Sequence, residues 1–272
     1  MIVCFGGGKG LSATVRALLL KGLDFSAVVG TTDNGGSTGK LREEFGIPAI
    51  GDFRRVVDSF GGPLSSTMES RYGGHAIGNL VILDLVRRLG FRKGLEEYRK
   101  AMGVHHMVVP QFLEPCDVVA IVSGGKVVGE TQIDGSKGKV EKIWLEPELP
   151  VNPEVLTLVE DADAMVLGPG SLFTSLMPHL LPAGFVTKLS RIPVKVLVTS
   201  IRNDLPVVEG FKLSDYLENV ERFVKFDYVL AQKPGEVRVD LKDERVVLRD
   251  MSLDGHLHDP KKLGDALCEL LK

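Results

Sequence analysis

The sequence predicts a single α/β domain, Rossmann-like, with a mostly parallel sheet, helices on both faces and a small β-rich insertion around residues 107–149. Three observations predict it. Short, fully apolar runs alternate with stretches of helical period. Three of those runs end abruptly in loops rich in glycine and hydroxyl side chains. No internal repeat or low-complexity linker divides the 272 residues, so one domain over 1–272 is the simplest partition for a fold class that often reaches this length.

Residues 2–5 are apolar throughout, as a strand buried on both faces requires. They run into Gly6-Gly7-Gly8, after which Leu11, Val15, Leu18 and Leu19 recur at helical spacing. Residues 25–29 are the second strand and complete a βαβ unit of ordinary length. The polar segment 31–39 is expected to be a loop, followed by helices near 52–60 and 75–89, with Gly90 as a stop. Residues 117–122 and 127–132 flank Ser123-Gly124-Gly125-Lys126, a hairpin signature inside the insertion. The parallel rhythm resumes with strands at 164–167, 194–199 and 228–231. Helical stretches lie between them and at 213–224, and an amphipathic helix is expected at 261–271.

Composition narrows the function. Hydrophobic residues make up 44% and charged residues 25%, which suits a packed globule and excludes disorder. With 33 basic against 36 acidic side chains the net charge is −3, which gives no electrostatic footprint for nucleic acid or an anionic membrane. No apolar run approaches the roughly 20 residues of a bilayer span, and the first residues read as a strand, so the expected compartment is the cytoplasm. Cys4, Cys116 and Cys268 are widely spaced and show neither a zinc pattern nor a CxxC pair.

The chemistry is expected at the strand ends. Gly6-Gly7-Gly8-Lys9-Gly10, the loop 31–39 and Gly168-Pro169-Gly170-Ser171 each follow an apolar strand. In open α/β sheets ligands bind there, where glycine lets backbone N–H groups approach an anion and a following helix adds its positive end. One such loop is an ordinary tight turn; three together predict a phosphate or diphosphate site. The first loop fits neither the dinucleotide fingerprint nor the P-loop. Asp33 is a candidate oxygen ligand for Mg²⁺ beside Asn34, though both also suit a turn. Asp52 reads as a helix N-cap or a site carboxylate, and Arg54 and Arg55 as phosphate binders or plain helix cations. His75 at the start of the long helix, with Asn79 one turn on, is a further polar candidate. There is no Ser-His-Asp set or nucleophile elbow.

In order along the chain stand Gly6-Gly7-Gly8-Lys9-Gly10-Leu11-Ser12, Thr32-Asp33-Asn34-Gly35-Gly36-Ser37-Thr38-Gly39, Gly51-Asp52-Phe53-Arg54, Gly74-His75-Ala76-Ile77-Gly78-Asn79-Leu80 and Gly168-Pro169-Gly170-Ser171-Leu172-Phe173-Thr174-Ser175. Over about residues 2–225 this set resembles the CofD/YvcK family, also designated UPF0052. The resemblance implies a Rossmann-like fold and a nucleotide site built from Gly6, Gly7, Gly8, Lys9, Asp33, Asn34, Gly35, Gly36, Ser37, Gly39, Asp52, Arg54, His75, Asn79, Gly168, Gly170, Ser171, Thr174 and Phe211, with Asp33 as the metal candidate. One branch, 2-phospho-L-lactate transferase, moves a phospholactyl group from a guanosine diphosphate conjugate to the deazaflavin Fo with Mg²⁺. The other, the gluconeogenesis factors, binds UDP-sugars and acts in cell shape and carbon metabolism without established catalysis. The loops match the second branch more closely, so non-catalytic binding of a UDP-sugar is expected ahead of transfer from a GDP conjugate, and association into a homo-oligomer is left open. Lys9, Asn34, Arg55 and Phe211 depart from the residues common in the family.

Overall fold

The computed structural model describes residues 1–271. Strand β1 (Ile2–Gly6) passes through Gly7 into helix α1 (Gly8–Leu20), and β2 (Phe25–Val29) leads to α2 (Gly36–Phe45) and α3 (Gly51–Asp58). A short α4 (Ser65–Glu69) and the two-residue pair β3 (Arg71–Tyr72) and β4 (His75–Ala76) precede α5 (Ile77–Leu89), α6 (Phe91–Ala101) and β5 (Val108–Pro110). The insertion comprises β6 (Asp117–Val122), β7 (Gly125–Val128), the short helix α7 (Glu130–Asp134) and β8 (Val140–Glu146). Helix α8 (Pro153–Glu160) leads to β9 (Ala164–Leu167); a π-helical turn (Leu172–Leu176) and α9 (Phe185–Leu189) lead to β10 (Val194–Val198). Helix α10 (Leu213–Val220), β11 (Tyr228–Gln232), β12 (Val246–Arg249) and α11 (Pro260–Leu270) complete the chain.

Seven strands form one parallel sheet in the order β12-β11-β10-β9-β1-β2-β5. Counting only those strands, the order is 3-2-1-4-5-6-7, and it reverses between β1 and β9. That reversal is the topological switch point, where the following loops diverge to opposite faces and leave a crevice. Because side chains alternate along a strand, Val3 and Phe5 enter one apolar core while Ile2 and Cys4 enter the other. The first core is covered by the insertion and α8 to α10, the second by α1, α3, α5, α6 and α11. Both faces are therefore sealed, as an all-parallel sheet demands.

The α/β class and the parallel sheet with a small antiparallel insertion are as the sequence predicts. Several boundaries differ. Helix α2 begins at Gly36, inside the segment expected to be loop. The long helix starts at Ile77, because His75 and Ala76 pair with Tyr72 and Arg71 in a hairpin. Residues 127–132 do not form one strand: β7 ends at Val128, and α7 follows after Gly129 at φ 90°. Strand β5 lies in the insertion range expected from sequence but pairs in parallel with β2, which confines the insertion to β6 through β8. Edge strand β12 and helix α6 are not signalled by the apolar runs: α6 is polar over most of its surface, and β12 is only partly covered.

Candidate functional site

The loops after β1, β2 and β9 meet at the carboxyl edge of the sheet. Thr14 Oγ1 donates to the Gly168 carbonyl at 2.8 Å, and Gly30 N–H to the Gly6 carbonyl at 2.9 Å, which ties the three strand ends together. Helix α1 packs so closely on the third loop that a Cβ at Gly10 would lie 1.9 Å from the Pro169 carbonyl oxygen. The crevice opens into a cavity of about 680 Å³ lined by Gly7, Gly8 and Lys9 from the first loop, Asp33 from the second, and Gly170 and Ser171 from the third. Among the described residues, the backbone N–H groups of Gly7, Gly170 and Ser171 donate to no protein acceptor. They are free for an anion, with α1 directing its positive end at the same space.

Helix α3 supplies the charged floor. Asp52 accepts a hydrogen bond from the Gly8 N–H and pairs with Arg55 Nη1 at 3.0 Å. Burial pushes its carboxyl up to about 6, with a further push from Asp33, against the pull of Arg55 and the Gly8 N–H. Asp33 accepts from the Gly35 N–H at 2.7 Å and shapes the turn into α2. Glu130, on the first turn of α7, lines the same cavity, and its carboxyl is raised well above the ordinary range by burial and then by Asp52 and Asp33. Lys9, Arg16 and Arg55 bring positive charge to the walls. The lining also includes the apolar Leu172, Ile201, Leu205 and Val208 with Tyr216, interspersed with Ser200, Arg202 and Asp204, and the exposed Leu253 and Leu257.

Several expected residues lie elsewhere. Arg54 is buried and pairs with Asp58 at 2.6 Å, which also accepts from Tyr98 Oη at 2.8 Å; it braces the second core, and its neighbour Arg55 faces the cavity. Ser37, His75 and Asn79 form their own network behind α2, with Ser37 Oγ 3.0 Å from His75 Nδ1 and 3.1 Å from Asn79 Nδ2. Asn34 turns away to α7, accepting from the Thr131 N–H and donating to Gln132 Oε1, each at 3.0 Å. Gly6, Gly35, Gly36, Gly39 and Gly168 shape the loops without lining the cavity. Thr174 faces Asp134, and Phe211 stacks edge-on against Phe173 and Tyr216; the aromatic ring lining the cavity is Tyr216.

Arg16, Glu130 and Asp134 carried no expectation from sequence, and His256 and His258, whose loop shows neither a shared helix face nor a carboxylate pattern, were not expected at a site, yet both line the cavity. Lys9, Ser12 and Arg16 stand at i, i+3 and i+7 on α1, on a face apart from its apolar stripe, which was the available signal for Arg16. Nothing local marks Glu130 or Asp134, since their place depends on the insertion folding back across the sheet. Among the described residues, no group of three or more metal-ligating side chains converges on one point. Asp33 and Asp52 offer hard oxygen donors suited to Mg²⁺, an ion that takes one or two carboxylates and completes its shell with phosphates and water.

An open, doubly wound α/β protein whose crevice is built from three strand-end loops, two of them presenting free amides, is the class defined by this fold and site. The chain belongs to the CofD family: the model described as 2-phospho-L-lactate transferase CofD matches residues 2–264. A gluconeogenesis factor of Bacillus subtilis is 29% identical over an alignment that covers 100% of this chain and 98% of that protein. A relative of Thermotoga maritima that carries the same name provisionally is 32% identical, over 86% of this chain and 80% of its own length. The crystal structure of a UPF0052 family member from Bacillus halodurans superposes with a TM-score of 0.91 at 26% identity, covering 98% of both chains. No helix among the described residues is long and apolar enough to cross a membrane.

Proposed function

We propose that this protein binds a nucleoside diphosphate compound, a UDP-sugar ahead of a GDP conjugate, and acts by binding in the control of carbon metabolism and cell shape. The observation that carries the reading is the set of free N–H groups of Gly7, Gly170 and Ser171 around one cavity of about 680 Å³. Backbone donors of this kind, with Lys9, Arg16 and Arg55 beside them, suit a diphosphate. Tyr216 and the apolar side chains of the lining suit a base or sugar ring. The gluconeogenesis factor names of the relatives support the regulatory role. When Mg²⁺ is bound, Asp33 and Asp52 would hold it, and it would neutralise phosphate charge.

Titration calorimetry with UDP-glucose, UDP and GDP, with and without Mg²⁺, tests the reading. Saturable binding of the uridine compounds is expected, and absence of binding by all three overturns it. A second reading, phospholactyl transfer, draws on the description of the family model. Transfer requires positioning and cations at the moving phosphoryl group. Turnover near ~1 s⁻¹ with the guanosine diphosphate donor, Fo and Mg²⁺, inside the ordinary enzyme range, would establish that reading in place of the first.

A further inference from the structure

Helix α7 bridges two of the three loops. Its Thr131 N–H donates to Asn34 of the second loop at 3.0 Å. At its other end, Asp134 Oδ1 accepts from Ser171 Oγ at 2.8 Å and from Thr174 Oγ1 at 2.9 Å, both of the third loop region. Thr174 Oγ1 also lies 2.8 Å from Ser171 Oγ, so carboxylate and hydroxyls form a closed triangle. Of the three, only Ser171 lines the cavity.

The triangle has a chemical consequence. A hydroxyl has one proton and two lone pairs. With its proton given to Asp134, Ser171 turns only lone pairs to the cavity. A hydroxyl so fixed accepts and cannot donate, and it has the negative charge of Asp134 behind it. Asp204, which also lines the cavity, adds to the negative field at Asp134. A phosphate oxygen is a poor partner for such a group, whereas an O–H or N–H is a good one. Asp134 Oδ1 keeps this arrangement in either ionisation state, because a proton on the carboxyl can sit on Oδ2.

We propose that Asp134 is a specificity-determining positioning residue that fixes the Ser171 hydroxyl as an acceptor, so that the ligand presents a hydroxyl or N–H donor there and keeps its phosphates on the backbone amides. This rests on the nucleotide reading above. The donor can belong to the sugar or to the nucleoside, and the probes separate the two.

The test is titration calorimetry at fixed Mg²⁺ with UDP-glucose, UDP and inorganic pyrophosphate, on wild type, Ser171→Ala, Asp134→Ala and Asp134→Asn. Losing one neutral hydrogen bond should weaken UDP-glucose by ~3–10-fold in Ser171→Ala and Asp134→Ala, with pyrophosphate unchanged. UDP weakening in step places the donor on the nucleoside; UDP unchanged places it on the sugar. Asp134→Asn keeps an acceptor oxygen and should restore affinity. The Ser171→Ala/Asp134→Ala double variant should lose no more than either single one, since both act through one contact. Equal weakening of pyrophosphate and UDP-glucose, or no change with any probe, overturns the proposal while leaving nucleotide binding standing. Wild type that binds neither nucleotide overturns the nucleotide reading itself, and the proposal with it.

Discussion

Arg54 and Arg55 are adjacent in the chain and differ completely in role. On a helix, neighbours point about 100° apart, so α3 can send Arg54 into the core and Arg55 to the cavity. Arg54 neutralises Asp58, whose side chain is 1% exposed. Arg54→Ala would leave that carboxylate buried and unpaired, a change expected to cost about 3–5 kcal/mol; a denaturant titration would read it directly. Arg55→Ala takes the ion-pair partner from Asp52, whose side chain is 12% exposed, so it should lower the unfolding midpoint by less than Arg54→Ala does and weaken diphosphate binding by ~10-fold, the worth of one charge-assisted hydrogen bond. Gly10 is the second residue with a sharp expectation. Gly10→Ala drives a methyl against the Pro169 carbonyl, so α1 and the third loop must part. A loss of about 1–3 kcal/mol together with lost nucleotide binding is expected, by thermal unfolding with and without UDP. The glycines were legible in the sequence as a set. Which arginine faces the ligand was not, because it depends on how α3 is rolled against the sheet.

Among the elements, α2 and the insertion carry most of what the sequence hid. Arg42 of α2 donates to the Thr32 and Asp33 carbonyls at 3.2 Å each, and to the Cys116 carbonyl and Asp117 Oδ1 at 2.9 and 3.0 Å. One guanidinium therefore sets the backbone that carries Asp33 and anchors it to the start of β6. Arg42→Ala should lower stability by about 2–3 kcal/mol, the scale of charge-assisted hydrogen bonds lost together, and should speed amide exchange across residues 31–35. Unchanged exchange there would assign Arg42 to the insertion alone. The hairpin of β6 and β7 was readable from its Ser-Gly-Gly-Lys turn and flanking apolar runs. The short α7 was not, since five residues cannot hold a helix by propensity; its contacts with Asn34, Ser171 and Thr174 hold it.

For the whole molecule, buried titratable groups set the response to pH. Asp52 titrates at about 6 in the native state and near 3.8 in the unfolded chain, so between those values the folded protein binds the extra proton. Its contribution to stability is present below about pH 4 and fades as pH rises through about 6. His179 and His258 run the other way. Burial pulls both imidazoles down to about 4 from 6.5, so their contribution is present above pH 6.5 and is lost as pH falls toward 4. Within pH 4–6 Asp52 therefore offsets one of the two histidines. Asp52→Asn should steepen the acid limb of the stability profile by one proton, ~1.4 kcal/mol per pH unit, and should stabilise the ligand-free protein at neutral pH. Parallel acid limbs in urea titrations of the two proteins would remove Asp52 from that role.

The sequence by itself determined the α/β class, the buried parallel strands and the three loops at strand ends, because hydrophobic periodicity and glycine-rich turns are local properties written within a few residues. Tertiary structure alone decided which polar side chains share the crevice. Arg55 rather than Arg54 faces it, Tyr216 rather than Phe211 lines it, and Glu130, with Asp134 behind Ser171, arrives from an insertion separated from the first loop by more than a hundred residues. A site at a switch point is assembled from strands distant in sequence, and the direction of each side chain depends on how its element packs on the sheet. No spacing within one segment records that packing.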